Sequence, residues 1–461
     1  MALTDELSGL ERVSGAVLRP GDETYDAARQ TFNGTIDRRP AVIVTCRTTD
    51  DVVAAVGAAR AAGLPIAVRG GGHGVAGHAM ADGALVVDLR EMRSVSVDPE
   101  RRRARAEGGA LWEDIDGATT PHGLATTGGT FVDTGIGGLT LGGGIGYLMG
   151  TAGLTCDNLV RAVVVSADGR VVVAGEDGDP ELLWALRGGG GNFGVVTEFE
   201  FALHPLGPLH AGRFTTHLDH VAEALMVAAE VARGAPPELN VFAVGPTTEK
   251  PPLPDGTPSG PATYFRMAAV YQGALADAEA AVGPLRAVPG IAGGFAPMSY
   301  SEIQAMTGIL PFGLRHYWKG HFVRDLEPSA IEAVVDAMRD TPGGHSFLLL
   351  EAIGGQARIE PPGGAAFGQR EARWNVSALG IWEDPSDDDA QIAWVRRTAD
   401  ALRPASLTGA GYGNYAPADE TAERVRAAFG DERFTRLREV KRRYDPNNLF
   451  RFNHNVPPAG D

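Results

Sequence analysis

The sequence predicts an α+β fold in two domains, and three observations carry that expectation. At 461 residues the chain is longer than one hydrophobic core usually organises. Its first part reads as short strands and helices separated by glycine-rich loops, starting with a strand, helix, strand unit. Near Pro205 the composition shifts: the glycine clusters thin and Tyr, Trp and His become commoner, as in His316, Tyr317, Trp318 and His321. That shift marks a second domain of mixed strands and helices over about 206–405.

Residues 41–45 read as a buried strand. Thr49-Asp50-Asp51 then opens a helix, because short polar side chains suit the first turn and Val52, Val53, Val56 and Ala59 follow on one face before Gly63 ends it. Runs at 84–88, 95–97 and 103–106 read as strands, with Asp98-Pro99 as a turn between the last two. Residues 110–119 are helical in pattern. Strands at 163–166 and 170–173 flank Asp168-Gly169, a strong hairpin signal. Asp179-Pro180 caps a helix over 181–187 that stops at Gly188, and 195–203 alternates as a strand. Proline-rich loops follow at 250–261 and 360–364. The tail carries two helical stretches, the second with Phe434, Leu437 and Val440 on one face and Lys441-Arg442-Arg443 in its last turn, where cations suit the helix dipole. Asp445-Pro446-Asn447-Asn448 is a turn.

Composition narrows the function. Hydrophobic residues at 44% and charged residues at 21% suit a globular chain. The formal net charge of -17 repels phosphate backbones and anionic lipid, so neither nucleic acid nor membrane is an expected partner. The basic run Arg101-Arg102-Arg103 sits beside Asp98 and Glu100 and reads as a solvated face. Two cysteines, Cys46 and Cys156, make no disulfide framework, which points to a reducing, cytoplasmic setting. Residues 1–19 contain acids and no apolar run of signal-peptide length. His316 and His321 lack partners for a metal site, and no metal is expected.

Much of the glycine, 62 residues in all, lies in two loops. The first, Arg69-Gly70-Gly71-Gly72-His73-Gly74-Val75-Ala76-Gly77-His78, lets backbone N–H groups approach a ligand and sets an imidazole against it. The second, Thr134 through Tyr147, offers another bed of backbone donors. Two such beds suit a long ligand with a pyrophosphate and a flat ring. G-x-G-x-x-G occurs at Gly72, Gly74, Gly77 and at Gly189, Gly191, Gly194, but each match is followed by a strand. A dinucleotide fingerprint needs a helix N-terminus there, so a nicotinamide cofactor is set aside.

These loops, together with Gly153-Leu154, Asp157-Asn158-Leu159, the run from Leu182 through Phe201 and the ending Tyr444-Asp445-Pro446-Asn447-Asn448-Leu449-Phe450, resemble the berberine bridge enzyme-like branch of the FAD-linked oxidases. The motifs span nearly the whole chain in family order. The resemblance implies the fold of the vanillyl-alcohol oxidase and p-cresol methylhydroxylase superfamily. In it residues 1–205 and a returning segment, 406–461, build the FAD-binding domain, and 206–405 lay an antiparallel sheet over the flavin.

The same resemblance implies FAD bound covalently through its 8α-methyl to His73. Around it would stand Arg69, Gly70, Gly71, Gly72, Gly74 and His78 from the first loop, and Thr134, Gly135, Gly137, Gly138, Gly142, Gly143, Gly144 and Gly146 from the second, with Asp157, Asn158, Val195, Tyr412 and Asn414. Many members add a cysteine link shortly before the second loop; here that position is Phe131, so one link is expected and Cys156 is read as packed. The Tyr-x-Asn-Tyr element is Tyr412-Gly413-Asn414-Tyr415, which implies Tyr415 as the catalytic tyrosine, with Tyr147 as a second candidate. A phenol with pKa near 10 is a poor base at neutral pH, so Tyr415 either has a neighbour that favours phenolate or acts as a donor. His316, Tyr317 and Trp318 could line a substrate pocket. The implied activity is oxidation of a small organic substrate, with dioxygen as acceptor and hydrogen peroxide as product. Monooxygenation or oxidative cyclisation, and a non-catalytic flavin-binding role, stay open at this point. The sequence says nothing of oligomeric state.

Overall fold

The computed structural model describes residues 7, 9–247, 263–308 and 310–460; the proline-rich loop expected at 250–261 lies outside them. Three main sheets organise the chain. In the first, Val42–Thr45, Leu85–Asp88 and Ile66–Arg69 run parallel in that spatial order, with Val17–Leu18 antiparallel at the edge. The crossover helix Thr49–Ala61 starts at Thr48, whose side chain accepts from the Asp51 N–H while Asp51 reaches back to the cap, and its apolar face fills one side of this sheet. The first glycine loop leaves the carboxyl end of Ile66–Arg69, where parallel strands commonly present ligand sites.

The second sheet is antiparallel, in the order Val95–Asp98, Arg103–Glu107, Val195–Ala202, Leu159–Val165, Val171–Gly175. The hairpin expected at Asp168-Gly169 joins its last two strands. The third is a seven-stranded antiparallel sheet built from 209–382, in the order Ala292–Pro297, Leu209–His217, Tyr264–Gln272, Leu239–Thr247, Phe347–Ala352, Trp374–Trp382, Arg315–Val323. Its side chains alternate between two buried faces. Val241, Ala243, Leu348, Leu350, Trp374 and Val376 pack under the helices Val221–Gly234, Pro328–Arg339 and Asp388–Leu402. Phe242, Val270 and Phe322 face the other way, onto Tyr147, Leu148 and Met149 beyond the second glycine loop.

The tail returns to the first part of the chain. Leu437, Val440 and Tyr444 of helix Asp431–Tyr444 join the core of Leu182, Phe199 and Phe201. One expectation changes here. Arg442 and Arg443 do stay in the solvated last turn, but Lys441 is fully buried, its Nζ donating to Asp445 Oδ2 at 2.6 Å and to the carbonyls of Asn192 and Phe450 at 2.8 and 2.9 Å. It serves as an internal tie between chain segments rather than as a partner of the helix dipole.

Candidate active site

The two glycine loops cross. A Cβ on Gly71 would stand 2.6 Å from the Gly135 nitrogen, and one on Gly135 2.4 Å from that of Gly71, so the backbones approach as only two glycines allow. Beside the crossing opens a cavity whose space not filled by protein, mouth included, is about 2050 Å³. Gly70 to Gly74, Gly135, Gly137, Gly138 and Gly188 to Gly191 form one wall, and Trp318, Phe322, Phe367, Tyr412 and Tyr415 form the facing wall. Among the described residues, neither Lys nor Arg lines it.

The glycine wall fits a large planar ligand. A Cβ at Gly74, Gly138 or Gly191 would meet no protein atom within 4 Å, so the wall at these cavity-lining positions opens onto free space in which a ligand can lie. Gly72 and Gly190 take positive φ of 73° and 77°, a geometry that turns successive N–H groups to one side and receives anions without a cationic side chain. The second loop contains a short helix, Ile136–Leu141, where the sequence suggested only irregular backbone.

His73 lines this cavity, its side chain 10% exposed. Its ring stacks on Phe32 with centroids 4.0 Å apart and planes at 17°, and His316 stacks on the opposite face of Phe32 at 4.2 Å. Phe131 stands 5.9 Å from His73. Asp133 Oδ1 lies 3.5 Å from His73 Nε2, an ion-pair distance, although neither atom makes an aligned hydrogen bond. Burial, and then His73, lower the His316 pKa to about 3, so His316 is neutral.

On the facing wall the tail is fastened to the second loop. Tyr412 Oη accepts from the Gly144 N–H at 2.8 Å, and Asn414 Nδ2 donates to the Leu139 carbonyl at 3.1 Å and to Tyr412 Oη at 2.8 Å. A Cβ on Gly142 would strike Asn414 Oδ1. These contacts orient Tyr415, whose O–H donates to Glu351 Oε1 at 3.0 Å; Asn375 Nδ2 donates to Glu351 Oε2 at 2.6 Å. Glu351 has no exposed surface, and burial raises its pKa to about 7 against the two hydrogen bonds that lower it. Removal from water, then the Glu351 carboxylate, push the Tyr415 phenol well above its ordinary value. A standing phenolate is therefore disfavoured. Ring contacts connect the two sides: Phe32 to Trp318 at 6.1 Å and Trp318 to Tyr415 at 5.6 Å.

Of the residues picked out from sequence, several stand away from the cavity surface. Arg69 is buried beneath Gly72, its Nη1 donating to the Ala28 carbonyl. Asp157 forms a buried pair with Arg370, whose Nη2 is 2.5 Å from Oδ1, and Asn158 Nδ2 donates to the Ala152 and Leu154 carbonyls. Gly143, Gly144 and Gly146 shape the backbone behind the wall; a Cβ on Gly146 would strike the Gly128 carbonyl. Val195 packs in the core beside Val165, with its neighbour Val196 reaching the cavity. Tyr147 is buried against Phe242, its hydroxyl 2.6 Å from Thr307 Oγ1. His78 does line the cavity, 5.1 Å from the His454 ring. Strand alternation separates the aromatic triplet: His316 and Trp318 face the loops, whereas Tyr317 points the other way to Asp419 and Arg396. His321 is satisfied by Ser406 and the Ala399 carbonyl. Cys156 is packed and its thiol pushed up by burial.

Sequence reasoning missed Glu351, Asn375, Asp133 and the wall formed by Gly188 to Gly191. The glycine run was visible, both in the family resemblance and as a match weighed against a nicotinamide site, but its residues were not among those picked out to hold the flavin. No local pattern marks Glu351. Among the described residues no cluster of His, Cys, Asp and Glu could hold a metal, and no helix is long and apolar enough to cross a membrane.

Residues 40–175 match the FAD binding domain family, and 411–457 match the family described as berberine and berberine like. The chain is 32% identical over 462 residues to (R)-6-hydroxynicotine oxidase of Paenarthrobacter nicotinovorans, covering 97% of this chain and 98% of that one. It superposes on the crystal structure of 6-hydroxy-D-nicotine oxidase from Arthrobacter nicotinovorans with TM-score 0.86 at 30% identity, over 97% and 98% of the two chains. It also resembles the xylooligosaccharide oxidase of Myceliophthora thermophila, with TM-score 0.87 at 25% identity over the whole of both. The fold is thus shared by relatives named for the oxidation of quite different molecules, and the chain belongs to the berberine bridge enzyme-like FAD-linked oxidases of the vanillyl-alcohol oxidase and p-cresol methylhydroxylase superfamily.

Proposed function

We propose that this FAD-dependent oxidase removes a hydride and a proton from a small, flat organic substrate, delivers the electrons to dioxygen, and holds its flavin by a single covalent link to His73. The observation that carries the reading is the Tyr415 to Glu351 hydrogen bond on the wall facing His73. FAD, when bound, supplies the two-electron acceptor. Gly70 to Gly74, Gly135, Gly137, Gly138 and Gly188 to Gly191 would hold it. In division of labour, 1–205 and 406–461 serve the flavin and 206–405 the substrate, a split supported by the core that the tail helix shares with the N-terminal part.

Tyr415 manages the proton as a relay. Its oxygen accepts from a substrate O–H or N–H while its own proton passes to Glu351 Oε1, so no free phenolate is needed. Asn375 fixes the carboxylate by donating to the other oxygen. Trp318, Phe322, Phe367 and Tyr412 give the facing wall flat apolar surfaces that exclude water and favour a planar substrate.

Acid denaturation tests the link: yellow colour stays with wild-type protein and is lost from His73→Ala, and a peptide map finds no flavin on Cys156. Full release of flavin from wild type sinks the attachment. Tyr415→Phe retains FAD and slows anaerobic flavin reduction by roughly 10²-fold or more; an unchanged rate removes Tyr415 from the chemistry.

A further inference from the structure

We infer that Asp133 is the positioning residue for flavin attachment: it fixes the tautomer of His73 and takes up the proton that the ring must lose. The inference rests on the proposed His73 link and concerns how that link forms.

The Gly71 and Gly135 crossing brings the segment before the second loop against His73. Stacking on Phe32 fixes the plane of the imidazole, and Phe131 and Phe312 stand around it at 5.9 and 6.1 Å. The backbone braces the stack, since the Phe32 N–H donates to the Gly72 carbonyl at 3.1 Å. In that orientation the Nε2 edge faces Asp133 Oδ1 at 3.5 Å, within half an ångström of a hydrogen bond. Both atoms are buried, and neither has a hydrogen-bond partner elsewhere. An orphaned carboxylate oxygen beside an orphaned ring nitrogen is costly unless the pair has work to do. The second imidazole, His316, stacks on Phe32 and is separated from His73 by that ring, out of reach of the Nε2 proton.

The chemistry follows from the two ring nitrogens being distinct. A carboxylate on the Nε2 side holds the proton there, which leaves the lone pair on Nδ1 as the nucleophile. Attachment forms one bond, Nδ1 to the 8α-carbon. It removes one hydrogen from His73 and one from the 8α-methyl, and the two electrons go through the flavin to dioxygen, which leaves as hydrogen peroxide. The positive charge that bond formation places on the imidazole is met by Asp133 and relieved when the Nε2 proton passes to Oδ1. Phe131 supplies no such group, and an Asn at 133 could accept the Nε2 hydrogen bond without taking the proton.

The test compares Asp133→Asn, Asp133→Ala and Asp133→Glu with wild type, each produced under riboflavin limitation and then loaded with FAD in air. The readouts are noncovalent FAD affinity, from flavin fluorescence, and the rate at which flavin becomes acid-stable, from intact mass. The expected result is unchanged affinity in Asp133→Asn with attachment slowed at least tenfold, a larger loss in Asp133→Ala, and partial recovery in Asp133→Glu. Attachment in Asp133→Asn at the wild-type rate overturns the inference and leaves the His73 link standing. Equal loss of attachment and of noncovalent affinity in all three variants also overturns it, because Asp133 would then merely shape the cradle. Wild-type protein that never becomes acid-stably flavinylated removes the His73 reading itself, and with it this one.

Discussion

Replacing Glu351 by Gln isolates the proton route. The substitution keeps the shape and one carbonyl oxygen, which can still accept from Asn375 Nδ2, now 2.6 Å from Glu351 Oε2. It removes the acceptor 3.0 Å from the Tyr415 hydroxyl and sets an amide N–H₂ there, so Tyr415 must reverse its hydrogen bond. General-base assistance contributes roughly 10²- to 10⁴-fold, about 3 to 5 kcal/mol of barrier. The reductive half-reaction, followed anaerobically by flavin bleaching, is therefore expected to slow by that factor. Its pH profile is equally informative. Glu351 titrates near 7 and accepts a proton only when ionised, so the wild-type rate rises with pH through about 7 and the rate of the Glu351→Gln variant does not. Stability moves in the opposite sense. The folded pKa of about 7 lies above the ordinary 4.5, so this group's stabilising contribution is complete below pH 4.5 and is lost as pH rises through 7. The difference is on the order of 3 kcal/mol. Glu351→Gln should match wild type near pH 4 and exceed it in unfolding free energy near pH 8. A variant that reduces flavin within threefold of wild type and keeps the inflection near 7 refutes the relay.

Other consequences test the frame around that route. Gly138→Ala is expected to fold without loss of thermal midpoint in flavin-free protein, since its Cβ meets no atom within 4 Å, yet to weaken FAD loading as judged by absorbance. Normal loading would mean the wall does not face the ligand. Lys441→Met leaves the buried Asp445 carboxylate with only the Leu449 and Phe450 N–H donors. A loss of about 3 to 5 kcal/mol in urea unfolding is expected, partly recovered by adding Asp445→Asn.

What the sequence made legible was local. Strand and helix signals around Thr49, Asp168 and Asp179 matched the structure because caps and turns are chosen by adjacent residues. The glycine loops were legible for the same reason, since a backbone that must carry no Cβ records that fact in one residue. Misreadings arose where a distant segment decides. Asp157 looked like a ligand-binding residue until Arg370, 213 positions away, claimed it, and Lys441 looked like a partner of the helix dipole until the Asn192 and Phe450 carbonyls enclosed it.

Glu351 shows why the proton acceptor could not be read from the chain. Strand Phe347–Ala352 is hydrophobic except at that position, so it shows no alternation that would reveal which face Glu351 takes. Asn375 and Ser377 alternate with Trp374, Val376 and Ala378 in strand Trp374–Trp382, but that pattern says nothing of Glu351 until the two strands are paired. The register decides it: Glu351 pairs with Asn375 and Leu350 with Val376. Leu348 and Leu350 enter the helix-covered core, which sends Leu349 and Glu351 to the face of the glycine loops. A slip of one residue would bury the carboxylate under the helices and move Leu350 to Tyr415. The cost of a carboxylate in the helix-covered core therefore helps to fix the register that places the acceptor on the cavity side. The prediction is that Glu351→Leu still folds, with the relay gone, and shows increased slippage of this strand, read as faster amide exchange across 347–352. Protection equal to wild type there would show that the flanking leucines set the register unaided.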